Sequence, residues 1–201
     1  MFLVYNVAGL CSYDLFDEIN FEEWFSQGLV KEVQNKSPNY RIIRRRVIWL
    51  VGEWINVKLS HPYRSMLYEI IINLMNESED LVVRLNASKT LQSAVDDFEF
   101  RTEDFLPYLE ASVSSMFKLL CDAKECDTKM HILFVMSMVI ERVGSKIRPY
   151  VASLAGYLPK LWVESEEHNM LRCSILTTLT FIVKGLGSES IHLYPFLSPV
   201  I

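Results

Sequence analysis

The sequence predicts an all-α fold of stacked antiparallel helix pairs, and three observations predict it. A proline followed by an aromatic recurs at Pro62-Tyr63, Pro107-Tyr108, Pro149-Tyr150 and Pro195-Phe196, at spacings of 45, 42 and 46 residues. A basic or imidazole side chain follows each of the first three prolines by 22 to 24 residues, as Arg84, His131 and Arg172. Between these landmarks the apolar residues recur at i, i+3, i+4 and i+7, the spacing of one helix face. Two landmarks that keep step over three units mark an internal repeat, and each unit is long enough for two helices and a turn.

Taken in order, segment 1–15 opens on Phe2-Leu3-Val4-Tyr5 and reads as a lone apolar helix. The first full unit spans 20–59: Asn20 is placed to cap a helix beginning Phe21-Glu22-Glu23-Trp24-Phe25, and 41–59 supplies its partner. The second unit, 61–100, starts at Pro62 and continues in the stripe Tyr63, Met66, Leu67, Ile70, Ile71 and Leu74. Its second helix opens Asp80-Leu-Val-Val83-Arg84-Leu-Asn-Ala87, with Asp80 as the cap. Asp127 is read in the same way, as a cap or as an acceptor for a repeated basic side chain. The third unit, 106–145, carries Leu106, Leu109, Val113, Met116, Phe117 and Leu120, then Met130, His131 and Phe134. The fourth, 148–187, carries Val151, Leu154, Leu158, Leu161 and Trp162, then Leu171, Arg172 and Ile175. A further unit starts within 193–201. Proline suits the first turn of each leading helix, where its missing N–H would have had no partner. Short acidic turns at 76–80, 122–127 and 164–168 separate the two helices of a unit.

A period of this length, a Pro-aromatic start to the first helix and a D-x-x-V-R-x-x-A start to the second are the marks of HEAT repeats rather than armadillo repeats. The expectation is a HEAT-repeat solenoid, a right-handed superhelix of about four repeats with partial helices at both ends. Neither end carries the polar cap that closes a natural solenoid. That predicts an interior excerpt of a longer array, or a truncated product, with apolar surface at its ends and a tendency to self-associate.

Half of the 201 residues are apolar and 22% are charged, with a mean hydropathy of +0.16. Such a chain has ample apolar surface to offset the entropy of folding, which excludes disorder. The longest stretch without Asp, Glu, Lys or Arg is 1–13, short of the roughly 18–20 apolar residues of a spanning helix. Net charge is −5 and the pI about 5.4. That balance disfavours direct nucleic-acid binding and suits basic partners. Cys11, Cys121, Cys126 and Cys173 are scattered, without a C-x-x-C, and read as reduced core thiols.

Several strings go beyond the general repeat. Arg44-Arg-Arg-Val-Ile-Trp-Leu-Val-Gly-Glu-Trp54, Val95-Asp-Asp-Phe-Glu-Phe-Arg101, Phe105-Leu-Pro-Tyr-Leu109, Arg148-Pro-Tyr150 and Asn169-Met-Leu-Arg-Cys173 closely resemble the middle of an importin-β-type karyopherin. The resemblance runs nearly the whole length. It implies a nuclear transport receptor that binds protein cargo, the GTP form of the Ran GTPase and phenylalanine-glycine nucleoporins, and that shuttles between cytoplasm and nucleus through the nuclear pore at the nuclear envelope. It also implies that the principal Ran-binding surface lies in amino-terminal repeats that precede the matched region.

On a helical wheel of 41–59, Ile43, Val47, Leu50, Val51, Trp54 and the stem of Lys58 form the buried side. Arg45, Arg46, Trp49, Gly52, Glu53 and Asn56 gather on the other. A tryptophan among arginines on a polar face is the kind of group that anchors a protein partner, and the resemblance puts second helices on the cargo-facing side. The plainer reading is that Trp49 packs on a neighbouring helix while the arginines pair with acidic turns. The acidic run Asp96-Asp97-Phe98-Glu99 with Glu103-Asp104, and the run 164–167, would meet basic signals on cargo; as turns between helices they need no such role. Tyr63, Tyr108 and Tyr150 would accept nucleoporin phenylalanines between consecutive first helices, or else serve as repeat core.

Nothing in the sequence assembles a reacting centre, so the chain is not read as an enzyme, and no cofactor is implied. Cys121-x4-Cys126-x4-His131 has the wrong spacing for common zinc sites and no evident fourth ligand. Gly185-Leu-Gly187-Ser188 ends an apolar helix, where glycine is the expected C-cap; with no strand before it and no G-K-[ST], it is not a phosphate loop. The function expected is that of the interior, cargo-carrying segment of a Ran-dependent import receptor. The alternative is a HEAT-repeat scaffold of a complex unrelated to transport.

Overall fold

A computed structural model describes residues 2–198. Met1 and 199–201, which the sequence assigns to the first and last partial units, lie outside the described residues, as do the side chains of Phe196 and Leu197. Among the described residues there is no strand. The chain divides into two compact units, Met1–Ser115 and Met116–Ile201.

In the first unit, α1 (Phe2–Leu10) is followed by turns to residue 18. The next helix runs over 21–34 as α2 (Phe21–Trp24), a π-helical turn (Phe25–Leu29) and α3 (Val30–Gln34). Then come α4 (Arg41–Lys58), α5 (Arg64–Met75), α6 (Leu81–Asp96) and the start of α7 (Thr102–Asp122). The second unit holds the rest of α7, then α8 (Cys126–Val143), α9 (Val151–Glu164), α10 (Asn169–Leu186) and α11 (Tyr194–Leu197). These are the stacked helix pairs of a HEAT solenoid.

The core of the first unit forms around α4, whose Val47, Ile48, Leu50, Val51 and Trp54 are fully buried. Second helices stack on one another through repeated close contacts. Trp54 stacks on Phe21 at 4.6 Å, and its Nε1 donates to the Ala8 carbonyl of α1 at 2.8 Å. On the other side Thr90 Oγ1 of α6 donates to the Ile48 carbonyl at 2.8 Å, beside Gly52, where a Cβ would come within 3.1 Å of that hydroxyl. The second unit repeats the device: Thr178 of α10 meets Ser137 of α8 at 3.0 Å and points to the Leu133 carbonyl. Gly144 and Gly187, 43 residues apart, end α8 and α10 with φ of 55° and 58°, a region that favours glycine.

Local details depart from expectation in four places. Asn20 holds the N-cap position but its side chain accepts no helix N–H; its Nδ2 donates to Glu23 instead, at 3.0 Å. Asp80 does cap, accepting the Val82 N–H at 3.0 Å, whereas Asp127 lies inside the first turn of α8, after Glu125. α7 begins at Thr102 rather than beside Pro107, because Glu103 and Asp104 favour the positive end of a helix and extend it by a turn. Finally, Asn169–Leu193 has the length of a membrane span and a mean hydropathy of 1.3 over its 18-residue window, although counting uncharged runs predicted no such segment. Scattered Arg172 and Lys184 break the runs without lowering the average enough. In the structure Leu171, Ile175, Leu179 and Ile182 of this helix are buried in the repeat stack.

At the amino-terminal end, the outer face of α1 leaves Leu3, Val4, Val7 and Leu10 exposed, Leu3 by 74%.

Candidate partner-binding face

The basic start of α4 is drawn inward by the acidic turn after α5. Arg44 pairs with Glu79 at 2.7 Å and Arg41 approaches Asp80 at 3.7 Å. Pairing with acidic turns therefore occurs, through Arg41 and Arg44 rather than through Arg45 and Arg46.

The structure splits the seven candidate residues into those held within the chain and those facing outward. Trp49 is half-buried against α1; a Cβ on Gly9 would lie 2.5 Å from its ring. The Arg46 guanidinium sits 4.6 Å from the Trp49 and Phe2 ring centres and donates to Asn6 Oδ1 at 2.8 Å. Burial, with a smaller contribution from Arg45, holds the Arg46 pKa below its ordinary value. Asp97 is buried and paired with Arg64 of α5. Arg45, Glu53, Asn56 and Asp96 are exposed on α4 and α6. Burial pushes the Glu53 carboxyl up, against the opposing pull of the Trp49 indole N–H.

Asn56 and Asp97 are brought together in one cavity of about 390 Å³ at the carboxyl-terminal end of α4. Lys58 and Phe98 also line it. The Lys58 ammonium is already engaged, donating to the Phe16 carbonyl at 2.6 Å over the Phe16 ring. Phe98 projects fully exposed from the turn after α6. Arg45, Glu53, Asn56 and Asp96 thus present both signs of charge, which suits a polar protein surface rather than a small ligand.

Sequence reasoning missed a groove of about 350 Å³ between the first helices of successive repeats, where Val30, Val33, Met66, Ile70 and Leu74 meet the polar Gln34, Lys36, Glu69 and Asn73. The stripe Met66, Ile70, Leu74 was its signal, read only as a helix face; Ile70 and Leu74 are themselves buried and form the groove's floor. Tyr63 and Tyr108 lie elsewhere, half-buried against Phe25 at 6.4 Å and Tyr68 at 5.4 Å. The four cysteines are free but not core: Cys121 and Cys173 are exposed and Cys11 and Cys126 half-buried, because they fall near helix ends or on outward faces; no group of three metal-ligating side chains occurs among the described residues.

No protein-family model matches the chain. It is 57% identical over 198 residues to Importin-11 of Homo sapiens, covering 98% of this chain and 20% of that protein. It is 27% identical over 206 residues to the importin beta-like protein KAP120 of Saccharomyces cerevisiae, with the same coverage of each. The solved structure of Lph2, described as a bidirectional nuclear transport receptor in S. cerevisiae, superimposes with a TM-score of 0.91 at 27% identity, over 98% of this chain and 20% of that one. The chain therefore spans about a fifth of the length of the relatives it matches. In its repeat frame and along 98% of its length, the chain is similar to importin-β-type karyopherins.

Proposed function

We propose that the chain is an interior, cargo-carrying segment of a Ran-dependent nuclear import receptor that shuttles between cytoplasm and nucleus. The observation that carries this reading is the 57% identity to Importin-11 along 98% of the chain. The role is binding and carriage, with no reaction of its own.

Protein cargo docks on the outward side chains of α4 and α6, Arg45, Glu53, Asn56 and Asp96, while Arg46 and Trp49 hold α4 to α1 beneath them. Support for this comes from their exposure and mixed charge, which set the register of a partner more than its raw affinity. A nucleoporin phenylalanine enters the groove between α3 and α5, whose volume of about 350 Å³ accommodates an aromatic ring and whose rim carries Gln34, Lys36, Glu69 and Asn73. Ran in its GTP form acts mainly through repeats that precede this segment in such a receptor, and releases the cargo.

The test is capture from nuclear and cytosolic extract by the intact parent receptor, with and without GTP-locked Ran. GTP-locked Ran should bind the parent and displace captured proteins. If it does neither, the chain belongs to a scaffold and the transport reading is wrong.

A further inference from the structure

The link between α3 and α4 ties down the backbone of Ser37 and leaves its hydroxyl free. Residues 34–39 are all exposed. The Ser37 N–H donates to Asn35 Oδ1 at 3.0 Å, and the Ser37 carbonyl accepts the Tyr40 N–H at 2.9 Å and Arg44 Nη1 at 3.0 Å. The hydroxyl caps no helix N–H, and among the described residues it makes no hydrogen bond. Ser37 is extended, with φ of −53° and ψ of 132°, the conformation that a following proline favours. Serine followed by proline occurs at Ser37-Pro38 and again at Ser198-Pro199, and threonine followed by proline does not occur.

Cations border this hydroxyl. Lys36 precedes Ser37, and Arg41 follows it by about one turn at the start of α4. Both side chains are largely exposed and loosely held, Lys36 at 3.9 Å from Glu79 and Arg41 at 3.7 Å from Asp80. Ser78, exposed on the acidic turn after α5, shows the contrast. Its hydroxyl donates to Asn76 Oδ1 at 2.8 Å, and its neighbours in the chain are Glu77 and Glu79. A doubly negative group would be repelled at Ser78 and received at Ser37.

We propose that Ser37 is a phosphorylation site for a proline-directed serine kinase, and that Lys36 and Arg41 hold the phosphate. In the reaction Ser37 Oγ attacks the γ-phosphorus of ATP bound to the kinase. The Oγ–P bond forms as the bond from phosphorus to the β-phosphate oxygen breaks, ADP leaves, and the hydroxyl proton passes to a carboxylate of the kinase. The product carries about −1.5 to −2 charge and three acceptor oxygens. Arg41 then turns from Asp80 to the phosphate, which gives up a surface tie between α4 and the cap of α6. The inference stands apart from the transport reading, because the modification needs neither cargo nor Ran.

The experiment treats the folded 201-residue chain with a kinase of the MAP-kinase class and ATP, and locates the phosphate by tandem mass spectrometry. A synthetic peptide of residues 31–45 serves as the control for an active enzyme. Ser37 should be modified in the folded chain. Pro38→Ala should lose that modification and Ser198→Ala should keep it, while Ser37→Ala, which keeps every backbone bond, is the blank. Thermal melts check that the variants fold. A folded chain left unmodified at Ser37 overturns the inference, and so does equal modification after Pro38→Ala. Phosphorus NMR of the modified chain then tests Lys36 and Arg41. The second phosphate pKa should lie below the ~6 of a free phosphoserine, because neighbouring cations favour the dianion. It should return toward that value in Lys36→Ala with Arg41→Ala. An unshifted value, or a shift that the double variant leaves in place, would overturn the role of the two cations.

Discussion

Arg44 and Glu79 form an ion pair at 2.7 Å with side chains only 4% and 5% exposed, joining the second helix of one repeat to the turn of the next. Arg44 Nη1 also donates to the Asn35 and Ser37 carbonyls, at 2.5 and 3.0 Å, and Glu79 accepts the Asp80 N–H at 2.9 Å. Removing one member leaves the other's charge buried. Glu79→Ala should therefore cost about 3–5 kcal/mol in urea unfolding. Arg44→Met combined with Glu79→Leu should lie closer to the parent chain than Glu79→Ala does. A loss of only about 1 kcal/mol, the scale of an exposed pair, would show that the pair does not hold these repeats together.

The same carboxylate gives the chain an acid limit. Burial alone raises the Glu79 pKa, but the Arg44 hydrogen bond and charge, the Asp80 N–H and Lys36 outweigh it and hold the group below its ordinary value. A carboxyl whose pKa is lower folded than unfolded stabilises the fold above its unfolded value of about 4.3, and that contribution disappears as pH falls through the folded value. The stability gap between the parent chain and E79Q should therefore be constant near neutrality and shrink below about pH 4. Urea midpoints across that range check it, and a gap that persists at the acid end would contradict the sign.

Glycine positions separate backbone need from mere tolerance. Gly144 and Gly187 hold φ of 55° and 58° at helix ends, so G144A and G187A should each cost about 1–2 kcal/mol. Gly156 sits in α9, exposed and with nothing within 4 Å of a Cβ. G156A should gain about 0.5–1 kcal/mol by favouring the helix. Thermal melts of the three variants test both signs together.

These glycines also show what was legible in the residues. Gly187 announces a C-cap because it follows a long apolar run, and the Pro-aromatic landmarks mark the paired helices because their period is kept through the chain. The wheel of α4 left Trp49 between two readings, partner anchor or packing on a neighbouring helix, for a physical reason. It weighs one helix in isolation, but a second helix in a stack has neighbours on both flanks, and its buried arc is wider than one apolar stripe. Gly9 and Gly52, 43 residues apart, were the available sign: each stands where a neighbouring second helix comes close, Gly9 to Trp49 and Gly52 to Thr90. The π turn left no such mark, since Gly28 becomes distinctive only once the Trp24 ring, 3.1 Å from where a Cβ would stand, is in place.

The division of the α4 face yields the prediction closest to function. Trp49 and Arg46 are tied to α1, so Trp49→Ala opens a gap against Gly9 and removes the ring beneath Arg46. That should cost about 2 kcal/mol, below the range for a fully buried tryptophan, and any effect on cargo capture would follow from loosened repeats. Arg45 and Asp96 are exposed, and substitutions at such sites usually shift stability by no more than about 0.5 kcal/mol. Arg45→Glu with Asp96→Lys, placed in the parent receptor, should leave its melting unchanged and weaken cargo capture, most clearly at low salt, where surface charge is least screened. Undiminished capture by this variant would move the cargo contact away from the face formed by α4 and α6, even if the parent receptor still responds to Ran.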